Sequence, residues 1–380
     1  MRVTAITNSR IPSLTANSIQ AMKVCEALAS LGHPTTILAP HEGADASGSA
    51  LRAHYGLQSE PLVEWRSSHR SLRRLDFALR CVGEASRQQA DLIYTWLPQA
   101  AVLGLRRQLP VVLEMHGDVG GTLGAWWLRA FWRARGPKRM SVTTRALRSA
   151  LERSARFAFP EADVIVAPNG VDLDRYRGLP AANVARRQLG LREGLTAGLT
   201  GHLYPGRGDD LLLGLARALP EVEFLWVGGT PETVAQMQTR LQEARLTNVT
   251  MTGFVENSRL PLYQAAADVL LMPYSRAVQG SSGQEIAEVI SPMKMFEYMA
   301  AGRAILTSDL PVLHEVLDES MAVFCEPSDL GAWVQSLQVL IRDDARRSAL
   351  GARARAEVEG YTWTRREERI LADFPPRGRL

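Results

Sequence analysis

Short apolar runs rich in β-branched residues alternate with stretches of helical period along the chain. Arg2–Thr7, Thr35–Ala39, Asp91–Thr95, Val111–Met115 and Val164–Ala167 are predicted strands of the first half. Thr196–Thr200, Val222–Val227, Val249–Met251, Val269–Met272, Ala304–Thr307 and Ala322–Phe324 are predicted strands of the second. Between them lie helical patterns, such as Ser18–Leu31 closed by Gly32 and Asp209–Leu219 closed by Pro220. Parallel strands need a crossover long enough to hold a helix, so this alternation predicts parallel sheets covered by helices on both faces. Eleven strands in two groups predict an α/β protein of two doubly wound, Rossmann-like domains; a single eight-stranded barrel is the competing architecture. The turn-rich segment Pro168-Asn-Gly-Val-Asp-Leu-Asp-Arg175 places the boundary at 172, giving domains 1–172 and 173–360.

In open parallel sheets, ligands meet the carboxyl ends of strands, so residues just beyond strands carry the functional weight. Residues 291–302 read Ser-Pro-Met-Lys-Met-Phe-Glu-Tyr-Met-Ala-Ala-Gly. Ser291 suits an N-cap, Pro292 the first helical position and Gly302 a left-handed stop. Lys294 and Glu297 share a face, and a cation with a carboxylate at a helix start suits a ligand with a phosphate end and a hydroxyl-rich end. An amphipathic helix buried through Met293, Phe296 and Met299 explains the same pattern without a ligand. Gly201-His-Leu-Tyr-Pro-Gly-Arg-Gly208 follows a predicted strand and offers close backbone approach with two possible cationic donors, His202 and Arg207; it is neither a Walker loop nor a dinucleotide fingerprint. His116 lies just past Val111–Met115, and Thr15, Ala16 and Asn17 open the first helix after the first strand. A structural histidine and an ordinary helix start are the plainer readings of these two.

Composition narrows the class. The chain has 380 residues, 46% hydrophobic and 22% charged, as expected for a globular protein with more than one core. Cys25, Cys81 and Cys325 are far apart and odd in number, which predicts a reducing, cytoplasmic setting, and neither a leader nor a membrane span is expected. No histidine or cysteine spacing predicts a metal. Net charge is +4, but unevenly shared: up to Asp172 there are 21 Lys/Arg against 14 Asp/Glu, and beyond it 23 against 26. The excess peaks between Arg129 and Arg156, where Glu152 alone opposes nine basic residues. This asymmetry points to an anionic partner or an anionic membrane surface, against a solvated basic face, and Trp126-Trp-Leu-Arg-Ala-Phe-Trp-Arg133 suits a membrane interface, although a helix with an aromatic core side and solvated arginines is the plainer reading. No nucleic-acid-binding motif is present, so a nucleic-acid partner is not expected.

In order and spacing the motifs resemble a family-4 retaining glycosyltransferase of the GT-B fold, in the branch reading Ser-Pro-x-Lys-x-Phe-Glu. The likeness runs through Asn169-Gly-Val-Asp172, the 201–208 loop, Leu225-Trp-Val-Gly-Gly229, Thr252-Gly-Phe-Val255, Met272-Pro-Tyr274, Ser291–Gly302 and Tyr361-Thr-Trp363. It implies two Rossmann-like domains facing across a cleft, with a last helix, 361–380, crossing back onto the first. It also implies retaining, metal-independent transfer of a sugar from a nucleotide-diphosphate sugar, UDP- or GDP-linked, to a glycan or lipid-linked acceptor. No cofactor beyond that co-substrate is implied. By the resemblance Arg207 and Lys294 hold the diphosphate, Glu297 the ribose, and backbone around Phe254 and Val255 the base. Gly201, His202, Ser291, Pro292 and Met293 complete the donor side, while His116 meets the transferred sugar and Thr15, Ala16 and Asn17 lie toward the acceptor. His116, Arg207 and Lys294 are then the catalytic set. The family's first glutamate falls at Val289, so no carboxylate is assigned there, with Glu285 and Glu288 as substitutes to test. His202 stands where arginine is usual. The resemblance implies a cytoplasmic enzyme peripheral on the inner face of the membrane. Its alternatives are a transferase for a small soluble acceptor and a non-catalytic sugar-nucleotide binder.

Overall fold

The computed structural model describes residues 1–41, 45–69, 72, 74–201, 208–276 and 287–375. It resolves into two compact units: residues 1–169 with 289–291 and 363–380, and residues 170–288 with 292–362. The chain thus crosses between units after Asn169, slightly before the boundary read from turn chemistry.

The first unit holds a parallel seven-stranded sheet, β1 (Val3–Ile6), β2 (Thr35–Pro40), β3 (Leu62–Arg66), β4 (Leu92–Thr95), β5 (Val111–Met115), β6 (Lys138–Val142) and β7 (Val164–Val166). Its order is β3-β2-β1-β4-β5-β6-β7. The second holds a parallel six-stranded sheet, β8 (Thr196–Thr200), β9 (Glu223–Val227), β10 (Val249–Met251), β11 (Val269–Met272), β12 (Ala304–Ser308) and β13 (Ala322–Cys325), in the order β10-β9-β8-β11-β12-β13. Both are doubly wound: the strand order reverses beside the first strand of each, between β1 and β4 and between β8 and β11. The central strands are buried on both faces, which is why they read as continuous apolar runs. Two Rossmann-like α/β units are therefore present, and the barrel alternative falls.

Two strands escaped the sequence reading. β3 is a sheet edge whose Leu62 is exposed, and its Glu64 and Arg66 pair with each other. β6 opens with Lys138 and Arg139, inside the run read as a basic surface. Lys138 in fact donates to carbonyls of Phe131, Trp132 and Ala134, capping the helix Gly121–Arg133. Arg139 donates to the carbonyls of Ile370 and Ala372. Part of the basic excess is thus spent on backbone carbonyls rather than offered to a partner. The helix 293–301 starts one residue late. Its N-cap is Pro292, not Ser291, because the Ser291 hydroxyl accepts from the Asn169 N–H and its carbonyl from the Asn169 side chain. Gly302 ends it in the left-handed conformation, φ 64°.

Candidate active site

In the second unit, the loops beyond β8, β9 and β10 converge. Gly201 (φ 131°) donates its N–H to the Val227 carbonyl at 2.9 Å. Gly228 (φ 124°) donates to the Gly253 carbonyl at 2.9 Å. A Cβ on Gly228 would lie 2.3 Å from the Gly201 carbonyl oxygen, so only bare backbones fit here. A Cβ on Gly201 would lie 3.2 Å from Lys294 Nζ, so the ammonium rests directly against that loop. Lys294 Nζ also sits 5.5 Å from the centroid of the Tyr274 ring, which follows β11. The cation therefore stands at the topological switch point between β8 and β11, in the first turn of a helix that no side chain caps and no acid opens.

One turn on, Glu297 Oε2 accepts from Gln264 Nε2 at 3.1 Å, and Gln264 Oε1 accepts from the buried Tyr176 hydroxyl at 2.9 Å. The Tyr298 hydroxyl accepts the Thr200 N–H at 2.8 Å, tying the same helix to the end of β8. Of the neighbouring residues, Val255 packs with Leu225, Val227 and Ala265, and the Phe254 ring stays 54% exposed beside them. The helix Asp209–Ala218 begins with Asp209 and Asp210, both paired with Arg240, so its N-terminus already has its anions. His202, Arg207 and Glu285 lie outside the described residues. Glu288 is exposed; Val289 is buried and its carbonyl accepts from Thr144 Oγ1 at 3.3 Å. Asp174 pairs with Arg177 within the turn-rich segment that joins the units.

In the first unit, Ala16 and Asn17 are exposed at the start of the helix Ala16–Ser30. Thr15 is its N-cap residue, but its side chain makes no capping bond and instead accepts from Ser13 Oγ at 3.1 Å. His116, largely buried, stands two residues beyond the fully buried Glu114 and on the same side of β5, and its Nε2 contacts Glu114 Oε1. Glu114 was missed in the sequence reading. The pattern that marks it is Glu-x-His at a strand end, with period two putting both side chains on one face. Glu114 also accepts from Gln20, Tyr94 and Arg366. Burial pushes its carboxyl up, but the charges of Arg366 and His116 and their hydrogen bonds outweigh this and hold it well below the usual range. Glu367 is pushed up to about 8, by burial first and then by the charge of Glu114, against the pull of Arg366. Glu114 and Arg366 thus pair as carboxylate and guanidinium, beside an acid that keeps its proton above the usual range.

This has a pH signature. Folded Glu367 keeps a proton that the unfolded chain has lost between its ordinary value of 4.5 and about 8. Stability therefore falls as pH rises across that window. Glu114 works in the opposite sense, its contribution present above about pH 4.5 and lost as pH falls. Replacing Glu367 by Gln is expected to flatten the fall, so that between pH 5 and 8 the wild-type melting temperature drops about 2–4 °C more than the variant's. Parallel melting curves across that range would refute the assignment.

A groove of about 1040 Å³ lies elsewhere in the first unit, lined by Arg106, Arg133 and Arg135 with Trp126. Trp126 is 46% exposed, and none of the three arginines has an acidic partner among the described residues. The helix Gly121–Arg133 buries Ala125, Leu128 and Phe131, so its aromatic content is divided between core and surface. No helix among the described residues is long and apolar enough to cross a membrane.

Residues 18–175 match the Glycosyltransferase Family 4 model, and residues 196–343 match the model of Glycosyl transferases group 1. The chain is a glycosyltransferase with family-4-type domains. It is 25% identical over 367 residues to the phosphatidyl-myo-inositol mannosyltransferase of Mycolicibacterium smegmatis, covering 90% of this chain and 85% of that one. It is 29% identical over 318 residues to the D-inositol 3-phosphate glycosyltransferase of Xylanimonas cellulosilytica, covering 75% and 72%. With TuaH of Bacillus subtilis the match is 29% over 143 residues, spanning 34% of that protein. Among solved structures, Anabaena HepE in complex with UDP and glucose shares the fold at a TM-score of 0.74 and 18% identity, over 98% of this chain and 100% of that one.

Proposed function

We propose that this enzyme is a retaining, metal-independent hexosyltransferase that moves a sugar from a UDP- or GDP-sugar to a glycan or lipid-linked acceptor. The observation that carries this is the cradle formed by Lys294, Gly201 and Glu297 at the β8/β11 switch point. In this reading the Lys294 ammonium and the uncapped first turn of its helix hold the diphosphate. Glu297, oriented by Gln264, takes the ribose hydroxyls as a carboxylate acceptor. The exposed Phe254 ring and its backbone flank the base. Departure of the nucleotide builds negative charge on a phosphate oxygen, and a preorganised cation stabilises that charge more in the transition state than in the ground state. The leaving phosphate itself takes the acceptor's proton on the face it vacates, so no enzymatic nucleophile is required, and His116 steadies the transferring sugar. Names among the relatives, phosphatidyl-myo-inositol mannosyltransferase above all, support a lipid-linked acceptor, and the arginine-lined groove with exposed Trp126 supports an anionic membrane surface beside it.

The test is a thermal-shift screen against UDP, GDP and their sugars with wild type and Glu297→Ala. One nucleotide is expected to stabilise wild type by about 2.7 kcal/mol when present at about 100 times its dissociation constant. Glu297→Ala is expected to need about tenfold more of it, the loss of a charge-assisted bond of about 1.5 kcal/mol. No response to any nucleotide, or an unchanged one in the variant, refutes the donor site. Sedimentation with anionic vesicles that is lost as salt rises supports the lipid-linked acceptor; no sedimentation at low salt favours a soluble one.

A further inference from the structure

Arg366 is held through all three of its guanidinium nitrogens. It belongs to the helix Trp363–Leu371 and is buried. Its Nε donates to the carbonyls of Ala167 and Pro168, just past β7, at 3.3 and 3.1 Å. Its Nη2 donates to Glu114 Oε1 at 2.7 Å, and its Nη1 to Glu114 Oε2 at 3.1 Å and to Glu367 Oε1 at 2.5 Å. Backbone fixes the plane of the guanidinium, and the guanidinium fixes Glu114 with a two-pronged grip. Gln20 Nε2, 2.5 Å from Oε1, and the Tyr94 hydroxyl on Oε2 block the remaining freedom of that carboxylate. Among the described residues, the one partner of Glu114 that is not buried is His116.

We propose that Arg366 is a positioning residue for sugar transfer, acting through Glu114 to fix which nitrogen of the His116 ring is presented to the reacting sugar. An ionised Glu114 only accepts, so the His116 Nε2 in contact with it must carry the hydrogen. Nδ1 is then left for the substrate. Without the grip the carboxylate turns, both ring tautomers become accessible, and a part of the molecules presents the wrong nitrogen. A merely structural staple of the last helix onto the sheet requires none of this, because the bonds to the Ala167 and Pro168 carbonyls already provide it. The inference rests on the proposed role of His116 in transfer.

Glu114→Gln and Arg366→Lys test it, each made in wild type and in His116→Ala. Arg366→Lys keeps a buried cation and loses the planar fork, so it serves if the amide variant fails to fold. In the wild-type background each is expected to lower kcat about 10- to 100-fold while the donor KM stays within about twofold. In the His116→Ala background each is expected to cost less than about twofold more, because residues that act as one unit are not additive. Equal losses in both backgrounds, or no loss in wild type, overturn the proposal. Backbone amide spectra of the first unit that match wild type's away from the substituted side chain show that each variant is folded where it was changed. The ring 15N shifts of His116 decide the matter without any turnover. Hydrogen on Nε2 in wild type, with a tautomer mixture in the variants, supports the relay. Hydrogen on Nδ1 in wild type, or identical spectra throughout, refutes it. Should wild type transfer no sugar, the assigned function fails while the spectra still judge the relay.

Discussion

Lys294→Met is expected to lower turnover by about 100- to 1,000-fold, the range for removing one preorganised donor from a developing oxyanion. The substitution keeps most of the stem's volume and packing and removes only the charge. Nζ sits against the Gly201 loop and over the Tyr274 ring, at the N-terminus of a helix without an acid in its first turn. In such a half-buried place a unit charge interacts several-fold more strongly than in bulk water. The loss should appear mainly in kcat, because the ammonium meets more negative charge as the nucleotide leaves than while it is bound. Steady-state release of nucleotide, with any acceptor or with water, measures it. Turnover within about threefold of wild type would take Lys294 out of the mechanism.

Gly228→Ala is expected to destabilise the second unit by about 3 kcal/mol or more and to weaken nucleotide binding with it. Two costs add. The backbone at φ 124° is one that an L-residue rarely adopts, and the new Cβ would fall 2.3 Å from the Gly201 carbonyl oxygen. The obstruction is backbone, so no rotamer change relieves it; the β8 and β9 loops must part. Parting them moves Gly201 away from Lys294, which couples the stability loss to the donor site. Urea unfolding and nucleotide titration read the two effects separately. Unchanged stability would mean that the loops do not touch in solution.

Much of this was open to reading in the chain. β5, β8 and β11 were predicted at the bounds the structure gives, because strands buried on both faces write themselves as largely apolar runs between turn residues, and the edge strand β10 matched too, without being buried. The helix of Lys294 was legible from Pro292 and Gly302, although Ser291 turned out to serve Asn169 instead. β3 was lost because an edge strand can carry charge, and β6 because its opening cations find their partners in backbone carbonyls, Lys138 at the end of the helix just before it and Arg139 in the last helix. Glu114 left a faint trace in its spacing to His116. Its pairing with Arg366, 252 residues away, left none, since no local pattern encodes a contact of that range. The same holds for Gln264, whose grip on Glu297 depends on the packing of two helices rather than on any motif.

The membership of the last helix in the first unit has a consequence for how the protein is made. Translation runs from the amino end, so β1 to β7 leave the ribosome while Arg366 is not yet synthesised. Until it arrives, Glu114 lacks the guanidinium that grips it, and a buried carboxylate deprived of its cation costs several kcal/mol. Residues 170–362, apart from the short excursion 289–291, hold everything the second unit needs. The half that is translated first is therefore the half whose last helix is made last.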